Sequence, residues 1–448
     1  MKKIFCQGWE WNLILFSVFI AMMLPELAGI GIIIVLIRVF TGNFRAIIQS
    51  RLNQGLGLVT LWLMISASLS PTPGDAWIGL GNFLPFFFFF SNIRQLIKKP
   101  SQLRQLAWVM VIPSVWVVVM GWGQIFLGWQ KPEALKGIFT WPYGAGGEPL
   151  GRMSSVFMYA NLLGAYLLIT LILAIGLLIL TWRQWHRQRN RNLNLKVGFL
   201  TLTIFIDSVG LFLSNSRNAW ALAFLGCLIF ALYLGWNALV AGFLLLGGVI
   251  SLASWGPNPF RDSLRFLVPR AIWARLSDEM FPNRPLATLR STQWRFTLEM
   301  TQERPLFGWG LRSFTPLYEK SQGLWLGHPH NLYLMLMAET GIIGLILLSV
   351  WVGWIYAQGW RLFIFLRQQK AGGELILFTY LVAFGACVLF NLVDVTLSDV
   401  KINTIVWFLL AAIAGVSQGL NYELGSGEMR KWGDHFVRVA GGSGVWGE

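Results

Sequence analysis

The sequence predicts an all-α polytopic membrane protein of about twelve transmembrane helices, with one large, partly helical loop outside the bilayer. Composition carries the first part of that reading. With 55% hydrophobic and 12% charged residues and a mean hydropathy of +0.59, there is too little polar surface to cover a water-soluble globule of 448 residues. The distribution of charge carries the second. A net charge of +15 would suit a nucleic-acid groove only if Lys and Arg clustered on a soluble domain. Instead they punctuate apolar runs: Arg94, Lys98, Lys99 and Arg104; Arg183, Arg187, Arg189, Arg191 and Lys196; Arg361, Arg367 and Lys370. No acidic residue falls within these groups, which is the positive-inside pattern, and no nucleic-acid partner is expected.

The elements follow in chain order. Lys2 and Lys3 before the apolar run Trp11 to Leu24 have the look of a secretory signal, but no small-residue cleavage site follows, so an uncleaved first helix is expected. Spans of roughly 17 to 25 apolar residues place the helices near 9 to 24, 26 to 40, 54 to 70, 76 to 93, 105 to 127, 156 to 180, 197 to 213, 218 to 234, 238 to 256, 331 to 355, 374 to 394 and 400 to 419. The uncharged stretch Ala219 to Trp255 is one long helix or two short ones turning at Gly235, Trp236 and Asn237. Charge parity selects two, because an even number of crossings must separate the basic loops at 181 to 196 and 361 to 370. Both termini are then cytoplasmic.

This reading divides the chain into nine spans in 1–256, a large outer loop in 257–330, three spans in 331–420 and a cytoplasmic tail in 421–448. The tail has no helical period, and a mobile or membrane-adsorbed segment is expected. The outer surfaces are the hairpin at Pro71 to Asp75, the loop Gly128 to Ser155, the turn Ser214 to Arg217, the long loop, and the turn Asp394 to Lys401. Within the long loop, Pro285 to Arg304 reads as a helix that places Arg290 and Trp294 on one face. A glycine-containing turn follows at Pro305 to Gly310, and then His328, Pro329, His330 and Asn331 lead into the tenth span.

Cys6, Cys227 and Cys387 lie in or beside apolar segments, so no disulfide framework is indicated. The His-Pro-His pair, without a nearby carboxylate or Cys, falls short of a metal-ligand set. No nucleotide-cradling motif occurs either, so neither a metal nor a cofactor is expected.

Four segments taken together resemble the O-antigen ligase and O-antigen polymerase superfamily: Ser214-Asn215-Ser216-Arg217 leading into a helix, RSTQW at 290 to 294, PLFGWG at 305 to 310, and HPHNLYLMLMAETGIIG at 328 to 344. The resemblance implies a bacterial inner-membrane, metal-independent glycosyltransferase. Such an enzyme moves a glycan from an undecaprenyl diphosphate carrier to a hydroxyl of a lipid, glycan or protein acceptor at the periplasmic face. It implies that Arg217 and Arg290 bind the diphosphate and that His330 is the base. Arginine suits that role, since its permanently charged, forked donors match phosphate oxygens without a metal. His330 beside a helix start is placed to accept a proton.

Arg152 at the outer entrance to the sixth span is a third candidate phosphate contact, and interfacial snorkelling is its competing reading. His328, Asn331, Ser216 and Trp294 are candidate supporting residues, with Asn331 either capping the helix or orienting the ring. Arg295 is the substitute for Arg290, which could instead pair with Glu299. Glu339, about 13 Å into its span at 1.5 Å per residue, and Asp207, similarly deep, are buried carboxylates. A structural role is expected for Glu339. The alternative function is a transporter or accessory protein for a small anion such as bicarbonate, because RMSSVFMYANLLGAYLL resembles a cyanobacterial branch of the superfamily associated with inorganic-carbon accumulation. Against it, no internal repeat is found and the charged candidates lie at the outer rim.

Overall fold

A computed structural model describes residues 2–131, 143–280, 285–370 and 372–425, with side chains described between residues 8 and 419. The tail beyond residue 425, and with it the expectation of a mobile or adsorbed segment, lies outside the described residues. The described chain contains no strand. Its helices are α1 (Lys2–Ile20), α2 (Pro25–Ile48), α3 (Arg51–Ser68), α4 (Pro73–Gly79), α5 (Leu84–Leu96), α6 (Pro100–Phe126), α7 (Ala160–Arg187), α8 (Arg191–Ser214), α9 (Arg217–Leu234), α10 (Asn237–Trp255), α11 (Phe260–Leu267), α12 (Arg270–Leu276), α13 (Arg290–Glu303), α14 (Phe314–Gln322), α15 (Leu332–Gln369), α16 (Glu374–Phe390) and α17 (Val400–Gly425). Among the described residues, nine helical stretches are long and apolar enough to cross a membrane, and two shorter apolar helices cover Gly8–Ile20 and Glu374–Phe390. The protein is an all-α, multi-pass membrane protein.

The Ala219 to Trp255 stretch does divide, because Gly235 takes the left-handed conformation (φ 70°) that ends α9. Three elements differ from expectation. The fourth span is broken into α4, a turn at Leu80–Asn82, and α5, with Pro85 opening the second piece. The tenth runs on to Gln369, through the basic stretch assigned to a loop, because nothing between Trp351 and Gln369 breaks the helix. In the long loop the helix begins at Arg290 rather than near Pro285, since Leu286–Thr288 is a tight 3-10 turn and Leu289 is extended.

The core lies where α7 packs against α6, α8, α9 and α16, and α17 packs against α5, α15 and α16. Helix α7 is buried almost all round, which fits its run of Leu, Ile, Ala and Gly with no charge from Ala160 to Leu180. At the opposite extreme, α10 buries only Ala253 and Ser254. Its uniformly apolar surface is suited to lipid.

Helix α15 is interrupted at Gly341 (φ 75°, ψ 168°). The PLFGWG turn fills the break: Trp309 N donates to Ala338 O at 2.9 Å, Gly310 N donates to Glu339 O at 2.8 Å, and Ile342 N donates to Pro305 O at 2.8 Å. From α3, Trp62 Nε1 donates to Thr340 O and Ser66 Oγ to Phe307 O. Backbone groups freed inside an apolar bundle must find partners, and this re-entrant turn supplies them. The approach needs two glycines. A Cβ at Gly341 would lie 1.8 Å from Leu306 O, and one at Gly308 would lie 2.5 Å from Glu339 O. Glu339 itself is buried, and its Oε1 accepts from Phe314 N at 3.2 Å, tying α14 to the same break.

Candidate functional site

The His-Pro-His segment crosses one end of the bundle just before α15. His330 takes a left-handed backbone (φ 50°), and Asn331 caps the helix by accepting from Tyr333 N and Leu334 N, each at 3.0 Å. Of the two roles open to Asn331, capping is therefore the observed one. The His330 ring is instead held by Asp394, whose Oδ1 lies 3.2 Å from Nδ1. Asp394 is buried in the turn between α16 and α17, while about a quarter of the His330 side chain is exposed. With Nδ1 donating to the carboxylate, Nε2 carries the lone pair.

Asp394 continues inward. Its Oδ2 accepts from Asn161 Nδ2 at 2.7 Å; Asn161 Oδ1 accepts from Arg152 Nη2 at 2.6 Å; and Arg152 Nε donates to Ser214 O at 3.0 Å. One hydrogen-bonded chain thus links the ring, the α16–α17 turn, the start of α7 and the end of α8. Burial pushes Asp394 up, but the bond from His330 and the charges of His330 and His328 outweigh it and leave the carboxyl below its usual range. Burial pushes Arg152 down; Tyr159 and Asp394 oppose this, while Arg217 and Arg290 add to it. Arg152, Arg217, Arg290 and Asp394 therefore share one electrostatic neighbourhood, with His328 in it as well, since Arg290 and Asp394 also act on that ring.

Arg217 is the first residue of α9 and Arg290 the first of α13. Neither helix has a side chain capping its first-turn N–H groups, so two positive helix ends carry the two arginines. Arg217 Nη1 donates to Arg275 O at 3.0 Å and to Asp278 Oδ1 at 2.9 Å. About half of the Asp278 side chain is exposed, so this contact is open to exchange with an incoming anion. Trp294 Nε1 donates to Pro329 O at 3.0 Å, which locks α13 onto the His-Pro-His segment. Ser216 packs against Gly164 of α7, with 3.1 Å between its Cβ and a Cβ built there. Arg295 is exposed and pairs with exposed Glu299 at 3.5 Å, so it is Arg295 rather than Arg290 that meets this carboxylate.

His328 Nδ1 accepts from His330 N at 3.2 Å, and the two rings meet edge to face. Burial first, then the His330 charge, pushes His328 down to about 4, with Asp394 opposing and Arg290 contributing. The expectation that no carboxylate stands near the histidine pair is corrected. His328, His330 and Asp394 offer ligand atoms all within 4.8 Å of one another, a set of the size a cation could use. The nearby arginine charges oppose such an ion. The sequence reading missed Asp394 and Asn161 as site residues; the available signal for Asp394 was an acid in a short turn on the face assigned to the histidines.

Beside this cluster an apolar cavity of about 670 Å³ opens between α9, α15, α16 and α17. Leu222, Leu336, Val352, Trp360, Leu389 and Leu397 line it, and Tyr333 and Asn391 place its upper end next to the His330–Asp394 pair.

Residues 199–349 match the family described as O-Antigen ligase. The match spans most of α8, α9, α10, the whole long loop and the first part of α15, and so includes Arg217, Arg290, His328 and His330 but not Arg152 or Asp394. It supports the O-antigen ligase superfamily and a membrane enzyme of the glycan-transferring type. No curated protein matches the chain.

Proposed function

Proceeding from an O-antigen ligase domain at 199–349, we propose that the protein is a metal-independent, inverting glycosyltransferase acting on a glycan linked to undecaprenyl diphosphate. An acceptor hydroxyl attacks the anomeric carbon and gives its proton to His330 Nε2. The bond from that carbon to the diphosphate oxygen breaks, and the lipid diphosphate leaves with the electron pair. Arg217 and Arg290, at two helix ends, hold the charge that develops, and Arg152 adds to the same field. Asp394 keeps His330 in the tautomer that accepts at Nε2 and stabilises the ring once protonated.

The observation that carries this reading is the grouping of a carboxylate-oriented histidine with three arginines in one electrostatic neighbourhood, with an apolar cavity beside the histidine segment. That pairing of features suits a ligand with a diphosphate head and a long hydrocarbon tail. The tail enters between α9, α15 and α16. By charge parity the site faces the periplasm, in the inner membrane. The acceptor is a lipid, another glycan or a protein; donor and membrane lipids are the other partners.

The test is transfer by purified protein in liposomes containing a polyprenyl-diphosphate-linked glycan, with and without EDTA. Wild type should release polyprenyl diphosphate and glycosylate the acceptor equally well in both. The Arg217→Ala/Arg290→Ala double variant should lose about 10²-fold or more. Full transfer by the double variant, or loss of wild-type transfer in EDTA, would refute the proposal.

A further inference from the structure

The large loop leaves the bundle through α11, a short helix with a divided surface. Phe260, Leu264 and Leu267 fall on one side, with Phe266 at its edge, while Arg261, Asp262 and Arg265 gather on the other. A helix that faced water would turn its apolar side toward the protein. Here Arg265 is the residue turned inward, with only 17% of its side chain exposed. Its Nε donates to Ala253 O near the end of α10 at 3.0 Å, its guanidinium lies 3.9 Å from the centre of the Trp273 ring, and its Nη2 pairs with Glu279. The apolar side chains point the other way: Phe260 is 65% exposed, Leu267 70% and Phe266 92%. The helix buries no residue.

Adjoining large apolar side chains left in water mark a surface that something covers. The preceding helix says what covers this one. Helix α10 has 19 residues, which at 1.5 Å per residue is about 28 Å, close to the ~30 Å of a bilayer's hydrocarbon core. It buries only Ala253 and Ser254, so its outer surface faces lipid. Trp255 at its end is exposed, as a ring at the membrane–water boundary should be. Only residues 256–259 separate α10 from α11. Helix α11 therefore begins at headgroup level, and Phe260, Phe266 and Leu267 extend the lipid-facing surface of α10 beyond the end of the span. A helix lying flat at that depth keeps its charges among the headgroups and its apolar side in the acyl boundary. Arg261 and exposed Arg270 fit the phosphates of that layer.

We propose that α11 lies in the headgroup layer of the leaflet on the His330 side, with Phe260, Phe266 and Leu267 in the acyl-chain boundary, and so moors the large loop to the membrane. The mooring leads to Arg217. Helix α12 follows α11 directly and brings the Arg275 carbonyl and the Asp278 carboxylate to Arg217 Nη1. The lipid contact holds whether or not the chain transfers a glycan.

Photocross-linking of the full-length protein in liposomes tests this, with benzoylphenylalanine placed at Phe266 and phospholipid carrying a radioactive acyl chain. Lipid should be captured at least about 10-fold more than by the same probe at exposed Arg295 on α13. Spin labels at Phe260→Cys and Leu267→Cys, in a chain whose Cys6, Cys227 and Cys387 are replaced by Ala, give a second readout. They should collide more with oxygen dissolved in the bilayer than with a water-soluble nickel chelate, and a label at Arg295→Cys should do the reverse. The cross-linking leaves the cysteines untouched and reports even if that background fails to fold. Lipid capture at 266 no greater than at 295, or a preference for the nickel chelate at 260 and 267, would overturn the proposal in favour of a water-facing loop. Cross-links from 266 to a second copy of the chain in place of lipid would overturn it in favour of a protein interface.

Discussion

At the scale of single residues, the account turns on what holds His330. Its ring is fixed by Asp394, and Asp394 by Asn161 and Arg152. Asp394→Asn should therefore cost about 10²-fold in transfer rate or more while leaving donor KM nearly unchanged, because it disturbs the tautomer rather than the diphosphate contacts. Steady-state kinetics on reconstituted protein separates the two. Asp278→Ala should act in the opposite sense, lowering donor KM by freeing Arg217 from a competing carboxylate. His328 gives a pH signature. Its folded-state value, about 4, lies below the ordinary 6.5, so between those pH values the unfolded chain takes up a proton that the folded chain refuses. Stability contributed by neutral His328 is complete above 6.5 and is lost as pH falls toward 4. Melting curves from pH 7.5 to 4.5 should show a smaller acid-induced drop for His328→Gln than for wild type. Of the proposed site, His330, Arg217 and Arg290 could be picked out in the sequence because each sits at a helix start or in a distinct motif. Asp394 and Asn161 were not, because they reach the site from segments more than 60 residues away from His330 in one case and 160 in the other, and only the packing of α7 against α16 and α17 brings them there.

At the scale of elements, the PLFGWG turn and the break in α15 form one unit. Its carbonyl and N–H groups are satisfied by each other and by α3. Gly341→Ala should destabilise the protein by roughly 3 kcal/mol, since it adds a Cβ against Leu306 O in a left-handed conformation. A detergent melting experiment measures this directly, and Gly57→Ala, at an exposed site on α3 with open space around it, should change little. The helical pattern of the spans was readable because apolar runs of the right length are rare outside membranes. The break at Gly341 was not, since a glycine within an apolar run is ordinary in a membrane helix, and the turn that fills it comes from 30 residues upstream. Likewise Pro285 suggested a helix start, but the 3-10 turn at Leu286–Thr288 delays it until Arg290. That delay is what puts a guanidinium on the first residue of α13.

For the whole molecule, the bundle places the large loop, the histidine segment and the α16–α17 turn at one end, and the basic segments around Arg94 and Arg183 at the other. On the proposed reading, charge parity makes the first end periplasmic. A cysteine introduced at exposed Leu286 should react in intact cells with a membrane-impermeant maleimide, and one at exposed Arg189 should react only after the membrane is opened. The fold class was legible from composition because lipid constrains it strongly. The joining of the proposed catalytic and tail-binding regions was not, because the apolar cavity beside His330 is made from α9, α15, α16 and α17 together with Phe83, segments far apart in the chain. The central claim is that His330 takes the proton of the acceptor as the glycan leaves its lipid diphosphate. Its most direct test is single-turnover transfer from a polyprenyl-diphosphate-linked glycan by His330→Ala in liposomes, with donor binding measured alongside. The account predicts donor binding within about 3-fold of wild type and a transfer rate reduced by about 10² to 10⁴. A transfer rate close to wild type at full donor occupancy would contradict it.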